Sequence, residues 1–235
     1  MSTRRNWSRQ RTIARFLSEP TTHWLLFLLT TLWASRLTWA CWPGSGGAFG
    51  LVDLAAAVGV VCIHPLVEWM THVFLLHTKP FTIGRWTLDL PTASKHRRHH
   101  YVPDDLTYVF MPPIAIIVAF SVAVLGLVVF PSAVLLTAFA TFMLLGVVFE
   151  WSHYLCHVPY RPRSRYLQLM RRRHLWHHYR NENYWWGVST HLGDRLLGTL
   201  PRRRADVPLS PTATNLHHWQ QSGPIILSGR DESGQ

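Results

Sequence analysis

A chain of 235 residues suits one domain, and 48% of its residues are apolar, with 12 tryptophans. A net charge of +11 would fit a nucleic-acid binder, but the apolar residues gather in long runs that point to a bilayer instead. The three cysteines, Cys41, Cys62 and Cys156, are odd in number and form no C-x2-C pair, which excludes a disulfide framework or a thiolate metal site and reads as free thiols.

Residues 1–23 form a basic N-terminus with Arg4, Arg5, Arg9, Arg11 and Arg15. Residues 24–42 are mostly apolar, broken by Arg36. A basic start, an apolar run and Ala40 before Cys41 imitate a signal peptide. The run is long for that role and Trp39 suits a cleavage site poorly, so the stretch reads as an uncleaved first span. Residues 48–67 form a second run, with Asp53 near its start and His64 near its end. Residues 112–130 and 132–149 carry no charge, and only Pro131 separates them. Each run is about the 17 to 25 residues that a bilayer crossing requires.

The expected fold is therefore an all-α integral membrane protein with four transmembrane helices in two hairpins. Lys79, Arg85, Lys95, Arg97 and Arg98 lie between the second and third spans, and the cations from Arg161 to Arg230 follow the fourth. The positive-inside rule then puts both termini and the central loop in the cytoplasm. The turns at 43–47 and Pro131 face the other side. Arg36, the exception, is expected to snorkel from its span. Trp24, Trp39, Trp42 and Trp69 lie near span ends, where aromatic belts form. The basic stretches 161–173 and 202–204 are expected to pin the cytoplasmic part to an anionic leaflet. Residues 24–200 make the membrane domain. Residues 201–235 read as a flexible tail, with His217 and His218 as surface residues.

Ten of the fifteen histidines fall into four clusters: His72 with His77; His96, His99 and His100; His153 with His157; and His174, His177 and His178. All follow the second or fourth span and so converge on one side of the membrane as a histidine-rich helical cap. Neutral imidazole is the commonest metal ligand among side chains. Ten exceed what one ion holds, which points to two metals sharing a site. The triplets at i, i+3 and i+4 share a helix face, so each is expected to aim three rings at one place. His153 and His157 also share a face. His72 and His77 stand five apart, roughly 140° around an α-helix, and need a helix end, a bulge, or one metal each. A loose two-fold rhyme runs through the chain: hairpin, histidine pair, histidine triplet, then the same again.

Structural zinc takes four ligands and has no redox chemistry, whereas iron accepts imidazole and does. Two irons beside a greasy cavity suit dioxygen chemistry on an unactivated C–H bond, with electrons supplied from elsewhere. Glu68 and Glu150 precede histidines on the spans. Two roles are open to each acid: accepting the outer N–H of a ligand imidazole, or serving as a buried hydrogen-bond partner without metal function.

The chain resembles the fatty acid hydroxylase and sterol desaturase superfamily, closest to the fatty acid 2-hydroxylase branch. Three stretches carry the match. The first runs from Glu68-Trp69-Met70-Thr71-His72 to His77. The second is His96-Arg97-Arg98-His99-His100-Tyr101-Val102-Pro103-Asp104, continuing to Pro112-Pro113. The third runs from Glu150 to His178 and on through Gly187-Val188-Ser189 and Asp194-Arg195-Leu196-Leu197-Gly198-Thr199. Together they cover roughly residues 60–200.

The resemblance implies a di-iron centre, replaceable by zinc in a preparation, held by the ten clustered histidines. It implies dioxygen as co-substrate and a lipid acyl chain as substrate. Pro103 and Asp104 would shape the loop after the first triplet, and Asp194, Gly198 and Thr199 a closing turn. The chain departs from the family pattern at His191 and Gly193; two readings are open to His191, an extra ligand or site-lining residue and a surface or hydrogen-bonded histidine, of which the second is preferred. No cytochrome domain is recognisable, so a separate electron donor is expected: a cytochrome, a ferredoxin or a reductase. The expected membrane is a bacterial inner membrane, or the endoplasmic reticulum in a eukaryote. Within the enzyme class, a lipid or sterol desaturase or a head-group hydroxylase is the alternative. From another class, a membrane metal carrier would need ionisable groups along its spans, where only Arg36, Asp53 and His64 lie.

Overall fold

The computed structural model describes residues 6–211. His217 and His218 lie outside them. A short amphipathic helix, α1 (Arg9–Leu17), starts at Ser8, whose hydroxyl accepts the Arg11 amide at 3.1 Å. Then come α2 (Pro20–Cys41) and α3 (Leu51–Met70), which runs into a π-helical turn at Thr71–Leu76. After a small hairpin follow α4 (Pro91–Tyr101), α5 (Leu106–Val109), α6 (Pro113–Val129), α7 (Ala133–His157), α8 (Arg165–Tyr179) and α9 (Leu192–Leu196). Among the described residues, four segments are long and apolar enough to cross a membrane: Pro20–Cys41, Leu51–Leu76, Leu106–Val129 and Ala133–His157.

The central helix is α7, with α2 and α3 both packed along it. Leu25, Leu28 and Leu32 of α2 meet Ile116 of α6 and Leu136, Ala140 and Met143 of α7 in one buried cluster. The outward faces of α3 and α6 stay apolar, with Val58, Val61, Leu125 and Val128 exposed. In water such faces would be costly; against acyl chains they are matched.

Arg36 does not snorkel. It is fully buried, and its guanidinium donates to Asp53 Oδ1 at 2.8 and 3.1 Å, to Thr137 Oγ1 at 2.9 Å and to the Gly47 carbonyl at 2.7 Å. A partner acid was in reach on the next helix, so pairing replaces escape to water. This lock joins the end of α2 to the starts of α3 and α7. At the other end Thr21 donates to the Met111 carbonyl at 3.1 Å, and the Met111 amide donates to Glu150 at 3.1 Å. Hence α2 and α6 run away from the histidines, while α3 and α7 run toward them.

The all-α expectation misses one element. Strands β1 (Phe81–Ile83) and β2 (Trp86–Leu88) pair antiparallel around Gly84, which takes φ +58°. Alternating β-formers around a turn glycine are the local signal for it. Arg97 ties the hairpin to α4, bonding both oxygens of Asp89 at 2.6 Å and the Thr78 carbonyl at 2.6 Å. The start of the presumed flexible tail is also packed. The Arg180 side chain donates to the Val207 carbonyl at 2.7 Å, the Ser210 amide donates to the Arg180 carbonyl at 2.8 Å, and Val207 and Ser210 are buried. The packed region thus passes residue 200 and reaches at least Ser210.

Candidate metal centre

The π-helical turn resolves the odd spacing of the first pair. The His77 amide bonds to the His72 carbonyl at 3.1 Å, an i→i+5 closure. One extra residue in the turn brings side chains five apart onto one face. In α7, the ordinary i, i+4 spacing does the same for His153 and His157. The start of α8 is fixed by Ser164, whose hydroxyl accepts the Leu167 amide at 3.5 Å. Arg171 then fastens α8 to the end of α7, donating to the carbonyls of Leu155 at 3.2 Å, Val158 at 2.9 Å and Tyr160.

The ten clustered histidines converge, in two groups of five. His72, His77, His96, His100 and His177 form one; His99, His153, His157, His174 and His178 form the other. Within each group the offered ring nitrogens lie within 4.8 Å of one another. Each triplet was expected to aim at one place, and this is corrected. Its i, i+4 members stay together, while the i+3 member joins the opposite group. On a helix, i+3 and i+4 project about 100° apart, so a triplet packed between two sites serves both. The exchange is reciprocal: His99 crosses one way and His177 the other. The two-fold rhyme of the sequence is thus a two-fold rhyme of sites.

Distances test whether a metal fits. His96 Nε2 stands 3.0 Å from His72 Nε2, 3.1 Å from His77 Nε2 and 3.2 Å from His100 Nε2. A ring nitrogen carries one proton or one lone pair, so it cannot hydrogen-bond to three like atoms at once. A shared cation would reconcile them, since adjacent six-coordinate ligands ~2.1 Å from an ion stand roughly 3.0 Å apart. The second group repeats the spacing: His99 to His153 at 3.1 Å and to His157 at 3.2 Å, and His174 to His157 at 2.9 Å and to His178 at 3.0 Å.

Protonation agrees. His72 Nδ1 meets the Trp186 carbonyl at 2.5 Å, and His177 Nδ1 meets the Tyr184 carbonyl at 2.8 Å. A carbonyl only accepts, so each Nδ1 carries the proton and each Nε2 offers a lone pair. That Nε2 of His177 is buried without a hydrogen-bond partner. Burial, above all, pushes the His177 imidazole down to about 4. Burial and neighbouring rings hold His96, His99, His100, His174 and His178 well below the usual histidine range. All are therefore neutral near pH 7, the form that ligates.

The carboxylates stand one layer further out. Glu68 accepts the amides of Val188 at 2.5 Å and Ser189 at 2.8 Å, and the Ser189 hydroxyl. Glu150 accepts the Met111 amide. Neither carboxylate is hydrogen-bonded to a ring of the two groups, so of the two roles open to them their contacts match the buried hydrogen-bond partner. Asp194 accepts the Trp186 amide at 2.9 Å, the Gly187 amide at 2.8 Å, the Thr199 hydroxyl at 2.6 Å and His191 Nδ1 at 2.9 Å. It thereby sets the peptide whose carbonyl orients His72. Burial opposes its charge, but these bonds hold its carboxyl below the usual range. His191 is buried on Asp194 and lies outside both groups, as does the exposed Asp104. Gly193 has a plain reason: a Cβ there would strike the Pro65 carbonyl and approach Trp69 Cβ at 2.9 Å, so α9 can press on α3 only without a side chain.

Sequence reasoning missed Trp186 and Tyr184. They act through backbone carbonyls, which no residue type announces. The Trp186 ring also packs against His72, His77 and His177, with centroids 5.2, 4.6 and 5.1 Å away.

An apolar cavity of about 430 Å³ opens beside the first group. His72, Leu76, Phe149 and Met111 line it near the histidines, and Leu25, Ala119 and Met143 line it deeper between the helices. A small chamber shares His72 with this cavity and also touches His96 of the first group and His153 of the second.

Comparison with known proteins bears on what the geometry serves. The sequence profile described as fatty acid hydroxylase matches residues 57–199. The chain belongs to the fatty acid hydroxylase family. It is 33% identical to rat fatty acid 2-hydroxylase over 146 residues, covering 61% of this chain and 39% of that protein. It is 28% identical over 193 residues to dihydroceramide fatty acyl 2-hydroxylase FAH2 of Arabidopsis thaliana, covering 77% and 78%. The chain thus spans about two fifths of the length of the rat relative and most of the plant one. Among solved structures, full-length scs7p, with only its hydroxylase domain visible, aligns with a TM-score of 0.61 at 22% identity, covering 79% of this chain and 67% of that one. That likeness establishes the hydroxylase fold.

Proposed function

We propose that this family member is a membrane di-iron oxygenase that hydroxylates a lipid acyl chain, using dioxygen and electrons from a separate donor. The observation that carries the reading is an apolar cavity that reaches the first five-histidine group at His72, beside a small chamber lined by histidines of both groups. Two irons bound there would supply the redox chemistry that activates dioxygen. His72, His77, His96, His100 and His177 would hold one ion, and the other five histidines the second. The residues of this chain do the rest. The cavity walls extend the acyl chain and exclude water. Trp186 and Tyr184 fix the tautomers of His72 and His177. Glu68 clamps the Val188–Ser189 peptide beside the chamber.

The same proposal includes four spans in two hairpins, with the histidine cap on the cytoplasmic face of a bacterial inner membrane, or of the endoplasmic reticulum in a eukaryote. Its support is the cation distribution and the gathering of all ten histidines at one end of the bundle. Acyl 2-hydroxylation is favoured over desaturation by the relatives' names. A metal carrier lacks support, because Arg36 and Asp53 are locked to each other instead of lining a path.

The test is a lipid profile of cells with and without the protein, grown under labelled oxygen gas. A lipid gaining one labelled oxygen atom is expected, and a His177→Ala variant should form almost none. Loss of two hydrogens without oxygen gain would mean desaturation. Full product from the alanine variant would remove His177 from the ligands.

A further inference from the structure

Away from the histidines, the segment before α8 and the helix itself open a cleft of about 610 Å³. Arg161, Arg165, Arg171 and Arg172 line it with Gln168 and Trp176, and no carboxylate is among its lining residues. Arg171 is committed to backbone carbonyls, but Arg161, Arg165 and Arg172 are exposed. Arg172 lies over the Trp176 ring at 5.5 Å.

The cleft is connected to the core. Trp176 immediately precedes His177, and its ring lies 5.4 Å from that of Trp185. Trp185 holds φ +56°, a left-handed conformation rare for a bulky side chain, with its amide bonded to the Thr199 carbonyl at 3.1 Å. The next residue is Trp186, whose ring packs on three histidines of the first group. Three tryptophans therefore lead from the arginine cleft to the proposed ligands.

We propose that this cleft is the docking surface for an acidic one-electron carrier protein. The proposal rests on the oxygenase reading, in which one turnover takes R–H, dioxygen, two electrons and two protons to R–OH and water. Each carrier encounter delivers one electron, so two encounters complete a turnover; the carrier and the C–H bond are oxidised and dioxygen is reduced. The occupant is a protein because the site is concave, with an aromatic group among its walls and a row of exposed positive charges. Such a surface steers an acidic partner and loses it as salt rises. A leaflet is flat and would meet the outer arginines alone.

The test uses the full chain, metal-free, in nanodiscs of neutral phosphatidylcholine. The probes are an acidic plant-type [2Fe–2S] ferredoxin and an acidic haem-carrying cytochrome. At least one should bind, weakening severalfold as salt rises toward physiological strength. Arg165→Glu combined with Arg172→Glu should weaken binding at least about tenfold. Arg165→Lys with Arg172→Lys, which keeps the charge, should retain it. The proposal is overturned if neither carrier binds, if the glutamate pair binds like the wild type, or if the lysine pair fails as the glutamate pair does. It is equally overturned if the glutamate pair loses only attachment to anionic vesicles, which assigns the arginines to lipid. Binding without product in the lipid assay would sink the oxygenase reading alone; product without binding would sink the docking surface alone.

Discussion

Asp194 makes no hydrogen bond to a ring of either histidine group, yet it sets the peptide that orients one. Its carboxylate receives the Trp186 and Gly187 amides, and the Trp186 carbonyl receives His72. Asp194→Asn keeps the shape but removes one acceptor oxygen. Outer partners of this kind commonly contribute roughly 10–100-fold in metal affinity. Metal affinity, titrated against a chelator, should fall by about that factor although every clustered histidine is kept; unchanged affinity would detach Asp194 from the site. The histidines also set a pH dependence. His177 titrates at about 4 in the fold and near 6.5 when unfolded. The unfolded chain therefore takes up protons first as pH falls from about 6.5 toward 4, and the metal-free fold loses stability across that window. His96, His99, His100, His174 and His178 add to the same sign. Melting of chelator-treated protein in detergent should drop steadily between about pH 7 and pH 5.

At the scale of elements, two contacts hold helices where the site needs them. The Arg36–Asp53–Thr137 lock fastens α2, α3 and α7 far from the histidines. Arg36→Leu leaves a buried carboxylate without its cation, which typically costs about 3–5 kcal/mol. Replacing both partners by apolar residues of similar size should restore most of the loss. Thermal unfolding of the single and double variants in one detergent checks this, and a double variant no better than the single would refute it. Near the site, α9 rests against α3 through Gly193. Gly193→Ala pushes the helices apart at a cost of about 1–3 kcal/mol. The same melts should show it, with weaker metal retention, because the displaced turn carries Asp194.

For the whole molecule, the proposed function makes the cavity the route by which an acyl chain reaches the histidines. It runs from His72 between α3, α6 and α7, with Gly146 in its wall. A Cβ at Gly146 would meet no heavy atom within 4 Å, so a side chain there fits and projects toward open space. If the proposed function holds, Gly146→Phe should shorten the acyl chains found in the product without changing metal content. Product chain lengths measured by mass spectrometry would show the shift, and an unaltered profile would place the acyl chain elsewhere. The two ends of the bundle thus differ: a buried ion pair holds the helices at one, and ten imidazoles gather in two groups at the other.

What the sequence alone determined is what short-range physics controls. Hydropathy located four apolar helices to within a few residues of their starts, because the cost of exposed apolar surface is summed along the chain. Helical spacing identified the ten histidines and set the i, i+4 pairs together, and the five-residue interval required an irregular turn, which is the π-helical one at Thr71–Leu76. The tertiary structure decided everything that depends on a partner distant in the chain. It sent His99 and His177 to opposite groups, because a helix packed between two sites shows a face to each. It buried Arg36 on Asp53, and turned Glu68 to the Val188–Ser189 peptide. It chose the carbonyls of Trp186 and Tyr184 to orient two rings. Backbone carbonyls are common to every residue, so their selection is written only in how the helices meet.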